Sequence, residues 1–205
     1  MIVTEITPME KGKVKVAFDD AQSFILYKGE VRRFGLKEQE PLSDDVYKQI
    51  YYDVVGKRAM KRALYLLEKM DRTEEQLRKK LLEGKYPKDL IDAAIDYVKS
   101  YHYIDDERYA RTFVRLNQER RSAGRMKMDL MARGVAEDII DRAMEEENET
   151  LPEDLIRKLL EKKHFDPDTA SIQETKKMYQ FLMRRGFRCE DIMHVLKDTA
   201  SCHWP

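Results

Sequence analysis

The sequence has few of the residues that break or cross-link a chain. Its 205 residues include only 8 glycines, 6 prolines and 2 cysteines. Such scarcity excludes a collagen-like protein and a Pro-rich or Gly/Ser-rich linker, and it favours helices, because Gly and Pro are the main helix breakers. Cys189 and Cys202 are too few for a disulfide framework, so we expect a cytoplasmic protein with reduced thiols.

Long apolar runs and net charge are missing as well. No run approaches the roughly 18 apolar residues of a membrane helix, and the first residues lack the pattern of a secretory signal. The 39 basic residues are balanced by 39 acidic ones. Binding to nucleic acid can therefore be argued only from local segregation of charge, and no membrane contact is expected.

Signatures of catalysis are also absent from the sequence. It contains neither a Gly-x-x-x-x-Gly-Lys-Ser/Thr phosphate loop nor a Gly-x-Gly-x-x-Gly motif. We interpret none of the histidines, His102, His164, His194 and His203, as a metal ligand paired with a nearby Cys or Glu. The acidic triplet 105–107 is explained by helix capping. We expect a protein that is not an enzyme and that holds no cofactor and no metal.

The first fifty residues show the alternation of short strands. Three strands of a small antiparallel meander are predicted, at Val14–Phe18, Phe24–Tyr27 and Val31–Phe34. Tight turns are expected between them, and Gly29 would supply a positive φ in the second turn. Ser43 is a candidate N-cap for a short helix through Ile50. We assign residues 1–50 to this meander and helix, which must pack against the helices that follow because it buries little area alone.

A threefold internal repeat occupies the rest of the chain. Each copy has a Leu, a Gly-containing turn, and apolar residues five and ten positions after the Leu. The three copies contain Leu81, Gly84, Tyr86 and Ile91; Leu130, Gly134, Val135 and Ile140; and Leu182, Gly186, Phe187 and Ile192. The pattern predicts a helix corner in which the Gly adopts a left-handed conformation at the helix C-terminus and the next two apolar residues form a hydrophobic staple.

Another apolar helix precedes each corner, so the pattern predicts nine helices in three triplets. Thr73–Gln76 and Ser171–Glu174 have the capping-box spacing that starts the second helix of a triplet. The predicted boundaries are 57–103 for repeat 1, 104–148 for repeat 2, 151–200 for repeat 3 and 201–205 for a frayed tail. The fold class is mainly α, with three tandem three-helix repeats stacked into an elongated curved body after the β meander. The alternative is three unrelated helix corners with similar turns.

Basic residues concentrate in the second repeat. Eight of them lie between positions 108 and 133, with only Glu119 and Asp129 opposing them: Arg108, Arg111, Arg115, Arg120, Arg121, Arg125, Lys127 and Arg133. The first three fall at i, i+3 and i+7, which places them on one stripe of a helix. Nine carboxylates lie between Glu137 and Asp154. Such segregation predicts strong local fields that can bind phosphates or an acidic protein groove, while the alternative is a solvated face. A second basic set at 57–62 is interpreted as a solvated face.

The segments Tyr103–Val114, Gly124, Leu130–Val135 and Arg185–Phe187 resemble the RecX family of regulators of the RecA recombinase. The resemblance covers residues 57–198, and it implies a protein that binds the RecA–DNA filament along its helical groove. It also implies inhibition or modulation of ATPase, strand exchange and co-protease activities, which affects DNA repair and the SOS response.

Charge and repeat position, rather than the family motif, single out the residues expected to contact the filament. These are Arg111, Arg115, Arg120, Arg121, Arg125 and Lys127, and Arg108 and Arg133 complete the predicted set of partner- or DNA-binding residues. The alternatives are a direct DNA-binding helical-repeat module, which would bind bare duplex tightly, and a helical adaptor for some other protein. The absence of a long heptad seam favours a monomer.

Overall fold

The computed structural model describes residues 1–20, 22–147 and 151–196. They divide into two compact units, Met1–Asp105 and Asp106–Pro205, which are described in turn. The predicted tail 201–205, with Cys202 and His203, lies outside the described residues, and so do positions 197–200 of the predicted third repeat.

The first unit begins with a three-stranded antiparallel sheet in the order β1-β2-β3. Its strands are β1 (Val3–Pro8), β2 (Lys13–Phe18) and β3 (Ser23–Tyr27), and a 3-10 helix at Glu10–Gly12 joins the first two. The second and third strands confirm the two predicted from alternation. The first was not predicted, because only Val3 among its residues is buried and an alternating pattern is therefore missing.

Residues expected to form a turn and a third strand are helical instead. Helix α1 spans Lys28–Arg33, so the predicted strand at Val31–Phe34 and the positive φ at Gly29 are both wrong. The carboxylate of Glu30 accepts a hydrogen bond from the backbone N–H of Tyr27 (2.8 Å) and pairs with Arg58. The first bond satisfies an N–H at the helix start. The ion pair with Arg58 links α1 to a later helix, and local sequence does not predict such a contact.

A nearly continuous helical segment follows the sheet and supports it. Helix α2 (Asp44–Lys48) begins at the predicted cap, since Ser43 Oγ accepts a hydrogen bond from the N–H of Val46. A π-helical stretch, Gln49–Gly56, continues the segment, and its Ile50 and Tyr51 are buried against the sheet. The expectation that the sheet packs on the following helices is confirmed.

Nine helices of the described residues follow as three triplets. The triplet of the first unit contains α3 (Lys57–Lys69), α4 (Glu74–Glu83) and α5 (Lys88–Ser100). The second unit contains two: α6 (Asp106–Asn117), α7 (Ala123–Met131) and α8 (Glu137–Glu147), then α9 (Pro152–Lys162), α10 (Ile172–Arg184) and α11 (Cys189–Leu196). Each triplet has its own hydrophobic core, built around the equivalent and fully buried Leu81, Leu130 and Leu182.

The turn after the second helix of each triplet repeats the same hydrogen bond. The N–H of Tyr86, Val135 and Phe187 donates to the carbonyl of Leu81, Leu130 and Leu182, respectively, at 3.2–3.5 Å. This is the Schellman closure of a helix C-terminus, and it shows that the three corners are equivalent.

The left-handed residue of these turns departs from the prediction in one copy. Gly134 and Gly186 have φ of 82° and 84°, as expected. Gly84, in contrast, is right-handed, and the left-handed position is taken by Lys85 with φ 57°. The prediction for Gly84 is wrong because the glycine of the first copy lies one position earlier than in the other two.

The second helix of each triplet begins at a hydroxyl cap. The predicted capping boxes at Thr73–Gln76 and Ser171–Glu174 are confirmed. Ser122 caps α7 in the same way, with Oγ accepting a hydrogen bond from the N–H of Arg125 (3.2 Å). It was missed because Arg125 stands where the other two copies have Gln or Glu, although Ser122 lies 49 residues from both other caps.

Candidate functional site

Part of the basic stripe predicted on α6 is neutralised inside the second triplet. Arg111 Nε lies 2.8 Å from Glu146, and Arg115 forms two bonds to Glu147, the shorter of 2.6 Å. Lys127 on α7 meets Asp141 at 2.8 Å and Glu137 at 3.3 Å. We call Arg111, Arg115 and Lys127 the paired cations.

These ion pairs arise because α8 packs against α6 and α7. The acidic stretch that follows the basic one in sequence is thereby folded back onto it. The hydrogen bond from Arg115 lowers the pKa of the Glu147 carboxyl, and the hydrogen bond that Lys127 donates to Asp141 raises the pKa of the Lys127 ammonium. The carboxylates that neutralise the paired cations therefore lie outside the basic segment 108–133 and reach it only through helix packing.

Four other predicted cations converge at the joint between the second and third triplets. There they line a cavity of about 560 Å³ that lies within the second unit, and we call it the joint cavity. Its lining consists of Asn117, Arg120, Arg121, Arg125, Asp129, Ala132, Arg133, Arg184 and Arg185. Six guanidinium groups and a single carboxylate thus share this lining. Arg108, the eighth predicted cation, lies on the exposed surface of α6 and is not part of it.

Aromatic rings hold several of these arginines in place. The guanidinium of Arg133 lies 4.6 Å from the centre of the Phe113 ring, and it donates a hydrogen bond to the hydroxyl of Tyr109. Arg121 lies over the same Phe113 ring at 5.8 Å, and Arg185 lies 4.5 Å from the ring centre of Phe181. Such cation–π contacts fix the side chains without neutralising their charge.

Asp129 is the only carboxylate among the residues that line the joint cavity, and two arginines share it. Arg121 pairs with one of its oxygens, and Arg125 Nε lies 3.1 Å from the other. Its side chain is 17% exposed, so the pair is partly shielded from solvent. One carboxylate cannot balance six guanidinium groups, and the lining keeps a large positive excess.

The turn between α10 and α11 closes the joint against the start of α7. Ser122 is buried, and its Oγ donates to the carbonyl of Gly186 (2.6 Å) while Arg185 donates to the carbonyl of Arg120 (2.7 Å). A Cβ on Gly186 would lie 2.8 Å from both the Cβ of Arg125 and the Oγ of Ser122. Glycine is therefore required by its positive φ and by this close approach.

Comparison with known proteins assigns each triplet to one family. The models of the first, second and third RecX three-helix domains match residues 59–97, 105–144 and 152–196. A protein named "Regulatory protein RecX" from Caldanaerobacter subterraneus subsp. tengcongensis is 30% identical over 205 residues, covering 97% of this chain and all of that protein. The chain belongs to the RecX family.

Other RecX proteins are similar to this chain over nearly all of their own length. A "Regulatory protein RecX" from Clostridium botulinum is 27% identical and covers 96% of this chain and 94% of the relative. Two crystal structures share the fold. One, of a regulatory protein RecX, has a TM-score of 0.57 at 23% identity, and the match covers 96% of this chain and 98% of the other. The other, the RecX of Lactobacillus salivarius, has a TM-score of 0.54 at 21% identity, and the match covers 70% of this chain and 95% of that chain.

Sequence reasoning missed two arginines of the cavity in this RecX chain. Arg184 and Arg185 belong to the third repeat, outside the basic segment at 108–133. The signal was the repeat itself: Arg185 occupies the turn position that Arg133 occupies in the second copy, one residue before the left-handed glycine. A comparison of equivalent positions in the three copies, rather than of charge density along the chain, would have found Arg185.

Two other classes of site were also sought in the structure. Over residues 1–20, 22–147 and 151–196, no three His, Cys, Asp or Glu side chains gather where they could hold a metal ion. Within the same ranges, no helix combines the length and the apolar character needed to cross a membrane. The joint cavity is the candidate site because it gathers six arginines.

Proposed function

We propose that this chain regulates a RecA recombinase by binding to the filament that the recombinase forms on DNA. The observation that carries the proposal is the match of all three triplets, in order, to the three RecX domains. The relatives are named regulatory proteins, which agrees with a modulator rather than an enzyme.

The joint cavity is our proposed contact surface. It gathers Arg120, Arg121, Arg125 and Arg133 from the predicted set and adds two arginines of the third triplet. The paired cations have internal partners, so we assign them a structural role on the surface of the second triplet. An exposed excess of positive charge is what a filament with an acidic or nucleic-acid surface would attract.

The remaining parts of the proposal follow from the family resemblance. The protein would act in the cytoplasm as a monomer, would lie in the groove of the filament, and would lower the ATPase, strand-exchange and co-protease activities of the recombinase. DNA repair and the SOS response would change in consequence.

The DNA-dependent ATPase of the cognate recombinase tests this function. We expect inhibition at protein concentrations too low to coat the DNA, together with a shorter lifetime of filaments. Full ATPase activity and unchanged filament lifetime at every concentration would contradict the proposal and would favour an adaptor for another protein.

The arginine cavity also favours a second candidate, a direct DNA-binding module. Binding to bare duplex by arginines alone needs no recombinase and falls steeply with salt. Inhibition that appears only at concentrations that coat the DNA would support this candidate over filament binding.

A further inference from the structure

We propose that the joint cavity binds the phosphate groups of a nucleic-acid strand. The inference deepens the proposed function and rests on it, because the filament is the source of the strand. The ligand chemistry is that of a phosphodiester chain, whose successive charges meet a cavity lined by arginines from two triplets.

Charge is the first argument for a phosphate ligand. Six guanidinium groups and the carboxylate of Asp129 give the lining a formal charge of +5. Arginine remains protonated at all physiological pH values, and its planar fork matches phosphate oxygens with two parallel hydrogen bonds. A concave surface of one sign focuses the field and concentrates anions.

The second argument is that three of the six arginines are held in position before any ligand arrives. Phe113 packs against Arg121 and Arg133, and Phe181 packs against Arg185. The carbonyl of Arg120 accepts a further bond from Arg185. Because the side chains are already ordered, little rotamer entropy remains to be lost when an anion binds.

The third argument concerns what the lining does not offer a protein partner. Interfaces between proteins centre on apolar or aromatic anchors, with arginine enriched among them but the other charged residues depleted. Of the nine lining residues, only Ala132 is apolar, and the rest are Asn117, Asp129 and six arginines. The cavity therefore fits a ligand that is recognised by charge, and its volume of about 560 Å³ leaves room for phosphate groups.

A comparison of the three copies gives the fourth argument. At the third position of the capped helix, the first and third copies have Gln76 and Glu174, which complete capping boxes. The second copy has Arg125, a cation at the end of the helix where the dipole disfavours positive charge. Its ion pair with Asp129, four residues further along the helix, offsets part of this cost, and Arg125 brings to the cavity a positive charge where the other two copies have Gln or Glu.

Binding of a fluorescent oligothymidylate to the full-length protein tests the inference, with anisotropy measured over a range of salt concentrations. The cavity triple carries Arg120→Gln, Arg125→Gln and Arg184→Gln, all at exposed positions. The matched control carries Arg111→Gln, Arg115→Gln and Lys127→Gln, and so removes the same charge from the paired cations. Circular dichroism checks that both variants are folded.

We expect the cavity triple to bind the oligonucleotide about tenfold more weakly or worse. The slope of log affinity against log salt concentration should be smaller by about 2, because three phosphate contacts are lost and each contributes roughly 0.7 on a single strand. The control triple should bind like the parent. Asp129→Asn removes the carboxylate of the lining and should bind the oligonucleotide more tightly, which is the opposite effect to that of the cavity triple.

Several results would overturn the inference. They are parental binding by the cavity triple, equal weakening by both triples, and weaker binding by Asp129→Asn. Displacement of the oligonucleotide by a polyglutamate peptide of equal charge would assign the cavity to an acidic protein, and displacement by an equal concentration of inorganic phosphate would assign it to the free ion. No recombinase is present, so these failures are distinguishable from a failure to inhibit the ATPase.

Discussion

Two groups of basic side chains in the second unit look alike in sequence and differ in the structure. The paired cations meet carboxylates of α8, with Arg111 and Arg115 bonded to residues 35 and 32 positions further along the chain. In the joint cavity, three arginines rest on aromatic rings and two share one carboxylate. A run of cations therefore does not identify a binding surface until the fold shows which of them are neutralised.

The two groups also differ in what positions them. Exposed ion pairs contribute little to stability and weaken with salt. The cavity depends instead on the buried hydroxyl of Ser122 and on the close approach of Gly186. Variants that change the joint and variants that change the ion pairs therefore test the two groups separately.

The largest effect on stability is expected from Gly186→Ala. The methyl group would lie 2.8 Å from two atoms of the α7 start, and alanine disfavours a φ of 84°. We expect a loss of about 2–3 kcal/mol in the free energy of unfolding, measured by urea denaturation. Gly124→Ala is the matched control, since its Cβ meets nothing within 4 Å and its φ is not positive. An equal loss in both variants would contradict the assigned role of Gly186.

Removal of the buried cap is expected to have the next largest effect. Ser122→Ala loses the bond to the N–H of Arg125 and the bond to Gly186, at a cost of about 1–2 kcal/mol. Ser171→Ala loses a cap at an exposed site and should cost less, about 1 kcal/mol. Thermal unfolding of both variants checks the order, and a larger cost at Ser171 would show that the joint adds nothing to the cap.

A stabilising change is expected at the turn of the first triplet. Lys85→Gly places glycine at a left-handed φ of 57° and should raise the free energy of unfolding by about 0.5–1 kcal/mol. The reverse change in the second triplet, Gly134→Lys, should lower it by about 1–2 kcal/mol. Denaturant titration measures both, and a destabilised Lys85→Gly variant would show that the lysine side chain contributes more than its backbone costs.

The smallest effect is expected from acid, and it should fall on the paired cations. Arg115 lowers the pKa of Glu147 from its ordinary value of 4.5. The carboxylate therefore stabilises the fold above that value, and the contribution is lost as the pH falls through the lowered pKa. Thermal melting between about pH 6 and pH 3 should show a shallower loss in Glu147→Gln than in the parent. Identical curves would mean that this pair contributes nothing to the folded state.

Local patterns were sufficient to predict the elements of the repeats. The caps at Thr73 and Ser171 depend on residues within three positions of one another and are confirmed. Val135 and Ile140 of a predicted staple pair are both buried in the core of the second triplet. Strand β1 was missed because it buries one side chain, and α1 because Glu30 bonds to a residue 28 positions away.

The candidate site was only partly predictable, for a similar reason. Arg120, Arg121, Arg125 and Arg133 could be named from their density in sequence. The partners of the paired cations and the contribution of the third triplet depend on helix packing. Neither depends on nearby sequence, so charge density alone could not separate the two groups.

The central claim is that the joint cavity, and not the paired cations, acts on the recombinase filament. Its most direct test is ATPase inhibition by three proteins side by side: the parent, the cavity triple and the matched control triple. We expect the control to inhibit like the parent, whereas the cavity triple should need at least about ten times more protein for the same inhibition. Parental inhibition by the cavity triple, or loss of inhibition in the control alone, would show that the joint cavity is not the surface that acts on the filament.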